Sequence, residues 1–115
     1  VVDYKATSKN SEVTIDADWQ QGYRRQMDFY QWLLRKNGLE VSDVGYFVYC
    51  NGDKQRPKFD SKVHFKISVL EYKGNESWIE DTIFQIKKLL DQDNVPGYSK
   101  DCDYCTYILD VDTVL

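Results

Sequence analysis

The chain is poor in several residues that enzyme chemistry commonly draws on. It has one histidine, His64, which falls on the polar side of an alternating stretch. We therefore expect a solvated side chain there and no Cys–His or Ser–His–Asp arrangement for nucleophilic catalysis. Three cysteines are an odd number and argue against a secreted scaffold stapled by disulfides. Six glycines and two prolines exclude a collagen-like chain, and no tract is of low complexity. No glycine loop of the G-x-G-x-x-G or Walker type is present. No apolar run approaches the ~20 residues that cross a bilayer, and no basic start leads into an apolar stretch with a small-residue cleavage site. Basic residues are in the minority, 15 against 19 acidic, for a formal charge of −4. That balance is not the footprint of a general DNA-binding surface.

What is present is a globular composition: 115 residues, 42% hydrophobic, 30% charged and 15% aromatic. We expect one domain over residues 1–115 with a modest core, and the cytoplasm as the default compartment. The opening residues Val1-Val2-Asp3-Tyr4-Lys5 already read as the middle of a strand. We expect from this that the chain is a fragment of a longer domain.

Val1 to Thr7 reads as a strand and the polar cluster Thr7 to Ser11 as a loop. Asp16 and Asp18 are candidate N-caps for a helix from Trp19 to Lys36. There Tyr23, Met27, Tyr30 and Leu34 recur at helical spacing, and Asn37-Gly38 supplies a stop. Val44 to Cys50 is nearly continuous in apolar and aromatic residues, as in a strand buried on both faces, with Asn51-Gly52 as a turn. Val63 to Tyr72 alternates, with Val63, Phe65, Ile67 and Val69 on one side and His64, Lys66 and Ser68 on the other. A second helix starts at Asn75 or Glu76 and ends near Asp93, with Trp78, Ile79, Thr82, Ile83, Ile86, Leu89 and Leu90 on its apolar face. Strand–helix–strand at this spacing predicts a crossover with parallel strands. The fold class is α/β, in the order strand-helix-strand-strand-helix with a mixed sheet.

Alternation puts Asp3 and Lys5 on one face of the first strand, with Tyr4 on the other. A carboxylate and an ammonium side by side can hold a hard cation and orient a water next to it. The same pairing is also an ordinary ion pair on many strands, and Glu71-Tyr72-Lys73 repeats it here. Gln26 and Tyr30, four apart, share a face of the helix that follows Asp3-Tyr4-Lys5, whereas no such pair follows Glu71-Tyr72-Lys73.

A strand with D-x-K, a polar loop and a helix with Q-x-x-x-Y resemble the RecB-like branch of the PD-(D/E)XK nucleases. The segment Val1 to Thr7 resembles its catalytic strand, residues 23–34 its motif helix, and Gly45 to Tyr49 the next strand. Val95-Pro96 and Cys102-Asp103-Tyr104-Cys105 resemble its C-terminal ending, so the resemblance runs to about residue 107. It implies the C-terminal part of a restriction-endonuclease-like core and Mg²⁺- or Mn²⁺-dependent hydrolysis of DNA. Asp3 and the carbonyl of Tyr4 would be metal ligands, and Lys5 would position the attacking water. Gln26 and Tyr30 would buttress the site, although Tyr30 on the apolar stripe also suits plain core packing. The branch carries a further acidic residue upstream, which has no counterpart here, so we expect the isolated chain to be nearly inactive. The alternative is a nuclease-like fold without catalysis that serves as a nucleic-acid- or protein-binding module. Cys102 and Cys105 have metal-ligand spacing but supply two thiolates where a closed site needs four, which argues against zinc or an iron–sulfur cluster. Lys5, Lys9, Arg24 and Arg25 form one local basic group and Lys54, Arg56 and Lys58 another. We also expect self-association through the first strand as an unpaired edge.

Overall fold

A computed structural model describes residues 1–113. Its elements are β1 (Val2–Thr7), a 3₁₀ turn (Asp18–Gln20), α1 (Gln21–Lys36), β2 (Val44–Gly52), β3 (Phe65–Lys73), α2 (Ile79–Leu90) and α3 (Asp103–Asp112). The chain divides into two compact units, Val1–Asp81 and the remainder from Thr82.

The first unit holds a three-stranded sheet in the order β1-β2-β3. β1 pairs parallel with β2, as the intervening helix requires, and β2 pairs antiparallel with β3. The sheet is mixed and the class α/β, as expected. The register sets Asp3 beside Phe47 and Lys5 beside Tyr49. Phe47 and Tyr49 are buried in one cluster with Met27 of α1 and with Val13 and Ile15 of the loop after β1. Burying a side chain the size of Met27 or Phe47 contributes about 1.5–3 kcal/mol. Asp3 and Lys5 thus share the core face of the sheet, at its β1 margin. Gly45 makes the close approach of helix and sheet possible, since a Cβ there would lie 2.4 Å from Met27 Sδ.

Several local expectations are corrected. The helix is not capped by Asp16 or Asp18. It enters through the 3₁₀ turn, where Gln20 Oε1 accepts from the Ala17 N–H at 3.1 Å and Gln20 Nε2 donates to the Thr14 carbonyl at 2.5 Å. Its C-terminal stop is where the sequence puts it, at Asn37 with Gly38 at φ 81°. Asn51-Gly52 is not a turn: both residues close β2, paired with Lys66 and Phe65. β2 is buried on one face only, for Tyr46 on the other is exposed. The largest reversal is in β3. Its apolar phase is the outward one, with Ile67 55% and Val69 59% exposed, while Ser68, Leu70 and Tyr72 turn toward the core side. α2 is shorter than expected and only Ile79 of its apolar face is buried.

In the second unit Asp103–Asp112 form a helix that went unforeseen. Cys102 caps it, accepting from the Cys105 N–H at 3.4 Å. The cap needs a side-chain acceptor at Cys102, a role the usual list of Ser, Thr, Asp and Asn hides in the sequence.

Candidate active site

The site is built on the rigid pairing of β1 with β2 and faces α1. Lys5 Nζ lies 2.8 Å from Asp3 Oδ2 and donates to Gln26 Oε1 at 2.9 Å. It also sits 4.3 Å from the centroid of the Tyr23 ring. An ammonium has three protons. Here a carboxylate, an amide oxygen and an aromatic face surround it, which fixes a side chain that is otherwise among the most mobile. Gln26 then donates through Nε2 to the Tyr30 hydroxyl at 2.7 Å. Asp3, Lys5, Gln26 and Tyr30 are therefore one connected chain of polar contacts. Tyr30 is 38% exposed and carries a polar contact, which is not the environment of a plain core tyrosine.

Tyr4 points to the opposite face of the sheet and is 73% exposed. Only its carbonyl could serve the site. Asp3 Oδ2 is buried, ion-paired with Lys5, and accepts no well-formed hydrogen bond among the described residues. The donor set for a cation is short. Mg²⁺ takes six oxygens in an octahedron, and Asp3 with the Tyr4 carbonyl offers two protein groups. Among the described residues no group of three His, Cys, Asp or Glu side chains converges on a common point. The described residues therefore do not by themselves complete a divalent-cation site. Cys102 and Cys105 are free thiols. Their mutual hydrogen bond lowers the pKa of Cys102 and raises that of Cys105.

Tyr23 is the participant that pattern reading assigned to the core stripe. Its signal was its spacing, three before Gln26 and seven before Tyr30, on the same helical face. Of the flanking basic residues, Arg24 is structural: Nη1 donates to the carbonyl of Ile15 and, at 3.3 Å, to that of Ala17. It ties α1 to the loop that covers the core. Burial raises the Tyr49 hydroxyl above its usual range, and that hydroxyl accepts from Gln20 Nε2 at 3.3 Å. The second D-x-K-like segment gathers no such partners: Glu71 lies on the outer face opposite Tyr46.

A strand-borne carboxylate and lysine, locked to a glutamine and tyrosine on the crossover helix, define an acid–lysine centre on a mixed α/β sheet. The family model of the PD-(D/E)XK nuclease superfamily matches residues 1–108, and the chain belongs to that superfamily. No curated protein and no solved structure matches it. Nucleases of the superfamily act on nucleic acids and are generally dependent on divalent metal. No helix among the described residues is long and apolar enough to cross a membrane.

Proposed function

We propose that this chain contributes the acid–lysine half of a RecB-like nuclease centre that hydrolyses DNA phosphodiesters. The observation that carries the proposal is the enclosure of the Lys5 ammonium by Asp3, Gln26 and Tyr23. A water oxygen attacks phosphorus and gives up one proton to solvent, the bond to the leaving sugar oxygen breaks, and that oxygen takes up a proton from solvent. Negative charge grows on the phosphoryl oxygens as this happens. A lysine fixed beforehand stabilises that charge without reorganising. Gln26 and Tyr30 act as positioning residues, since Gln26 accepts from Lys5 directly and Tyr30 holds Gln26 in place. A divalent metal would supply further positive charge, and Asp3 and the Tyr4 carbonyl are the two groups of this chain that would hold it. Because two protein donors leave the shell incomplete, the isolated chain is expected to cleave DNA poorly.

The test is cleavage of labelled DNA by the whole gene product in Mg²⁺ or Mn²⁺. Asp3→Ala and Lys5→Ala should each lower the rate by about 100-fold or more, the scale on which one charge-stabilising group matters, with unchanged circular dichroism. Wild-type rates in both variants would overturn the assignment. The short donor set favours a second reading, a nuclease fold kept for binding. It predicts that the whole gene product binds DNA in EDTA, never cleaves it, and is indifferent to Asp3→Ala.

A further inference from the structure

At the C-terminal end of β1 the sheet opens into a cavity of about 520 Å³. Three lysines line it, Lys9, Lys54 and Lys66, together with Asn51, Glu12 and Asp53. Its walls are fixed. Asn51 accepts from the Lys9 N–H at 2.8 Å and returns a hydrogen bond to the Lys9 carbonyl at 3.1 Å. Ser8 Oγ donates to the Gly52 carbonyl at 3.0 Å, and Lys54 Nζ to the Ser8 carbonyl at 3.1 Å. Asp53 is occupied by Arg56 at 3.5 Å and by the Gln55 N–H at 3.0 Å. The lining thus presents three ammonium groups against two carboxylates, Glu12 and the Arg56-paired Asp53.

Beside this cavity runs an alternation of cations and rings that leads back to the candidate active site. Lys9 Nζ lies 5.2 Å from the Trp19 ring centroid. Trp19 meets Tyr23 edge to face at 6.0 Å. Tyr23 in turn carries Lys5 at 4.3 Å. Trp19 is 64% exposed, so its ring is open to a further partner. Exposed rings next to lysines are what single-stranded nucleic acid uses, with bases stacked on the rings and phosphates on the cations. Lys9 lies four positions after Lys5, a Cα span of at most about 14 Å. One strand carries a phosphate about every 3.4 Å of duplex axis, so a bound strand reaches both lysines within a few nucleotides.

We propose that the cavity and the Trp19 ring form a subsite for an unpaired nucleic-acid strand leaving the candidate active site, with phosphate at Lys9 and Lys66 and a base on Trp19. The proposal rests on the nucleic-acid reading above but not on cleavage. It is tested by anisotropy of a short fluorescent single-stranded DNA in EDTA, over a salt series, with the 115-residue chain. Trp19→Ala should weaken binding about 5- to 150-fold, the equivalent of one base stack. Lys9→Ala with Lys66→Ala should reduce the slope of log affinity against log salt by about 1.4, two phosphates' worth on a single strand. Lys62→Ala, outside the cavity, should bind as wild type. Wild-type affinity and slope in the Trp19 and lysine variants overturns the subsite, as does a wild-type chain that does not bind. If those variants bind normally while Asp3→Ala abolishes cleavage in the whole gene product, the subsite alone fails. If they lose binding while Asp3→Ala leaves cleavage intact, the subsite stands and the catalytic reading fails.

Discussion

Asp28 shows how much a single buried residue organises here. It is 4% exposed, yet it carries a carboxylate. Oδ1 accepts from the Asn75 N–H at 2.8 Å, Oδ2 from Trp78 Nε1 at 3.0 Å, and the Tyr72 hydroxyl is a further partner. A buried anion is tolerable when donors surround it. Burial, then the Asp28 charge and hydrogen bond, push the Tyr72 hydroxyl up from 10.0 to about 12. The folded state therefore holds this proton more tightly than the unfolded chain. The resulting stability is complete below pH 10 and is lost as pH rises toward 12. An ultraviolet tyrosine titration should show a late-ionising component to which Tyr72 and Tyr49 both contribute, smaller by one group in Tyr72→Phe and with one group moved to lower pH in Asp28→Asn. The asparagine also turns an N–H donor toward a donor, since the Asn75 N–H and Trp78 Nε1 both donate to Asp28. Chemical denaturation should record a loss of about 1.5–3 kcal/mol for Asp28→Asn, the scale of a hydrogen bond to a charged group. Unchanged titration in both variants would contradict this account.

At the scale of elements, the order and parallel pairing of β1, α1 and β2 were legible because periodicity and turn chemistry are local. The faces were not. The stripe Tyr23, Met27, Tyr30 and Leu34 suggests one buried side, but of these only Met27 is fully enclosed, and the polar Asp28 and Gln31 are buried beside it. Gln31 Nε2 donates to the carbonyls of Ser42 and Asp43 at 3.0 and 3.1 Å. A glutamine that satisfies loop carbonyls looks like a surface residue in any hydropathy pattern. The same limit inverted β3, where alternation fixes which residues share a side but not which side meets the core. The four site residues were separable from the rest because strand and helix spacing put each pair on one face; that the two faces meet at Lys5 and Gln26 is a tertiary fact. The contact of α1 with β2 depends on Gly45. Gly45→Ala drives a methyl against the fully buried Met27 side chain, which must shift to admit it. We expect a loss of about 1–3 kcal/mol from overpacking, measured by urea denaturation. Met27→Ala leaves a cavity and carries its own cost, but it removes the clash, so Gly45→Ala/Met27→Ala should lose less than the two single losses added together, a coupling that two independent losses would not show.

For the molecule as a whole, protection against unfolding is unevenly placed. Among the described residues every fully buried one lies in the first unit, including Phe47, Met27, Ile79, Gln20 and Gln31. There the sheet ladder, the Lys5 network and the Asp28 cluster all join segments far apart in sequence. α3 has no buried residue among those described, and Tyr104, Tyr107 and Ile108 on it are exposed. A ten-residue helix gains little from its own hydrogen bonds. It is therefore expected to open far more often than the sheet opens. Native-state hydrogen exchange should find the α3 amides at least about 100-fold less protected than those of Phe47 to Tyr49 in β2, the ratio expected for an opening free energy lower by about 2.8 kcal/mol. The asymmetry has a consequence for the candidate site. Asp3, Lys5, Gln26 and Tyr30 all sit on the protected side, on β1 and α1, so their geometry should survive opening of the second unit. A variant that unwinds α3, such as Thr106→Pro, should erase the residual protection of that helix while leaving the exchange rates of β1 and β2 unchanged. Equal protection in α3 and β2, or loss of β2 protection in the proline variant, would mean that the two units unfold as one.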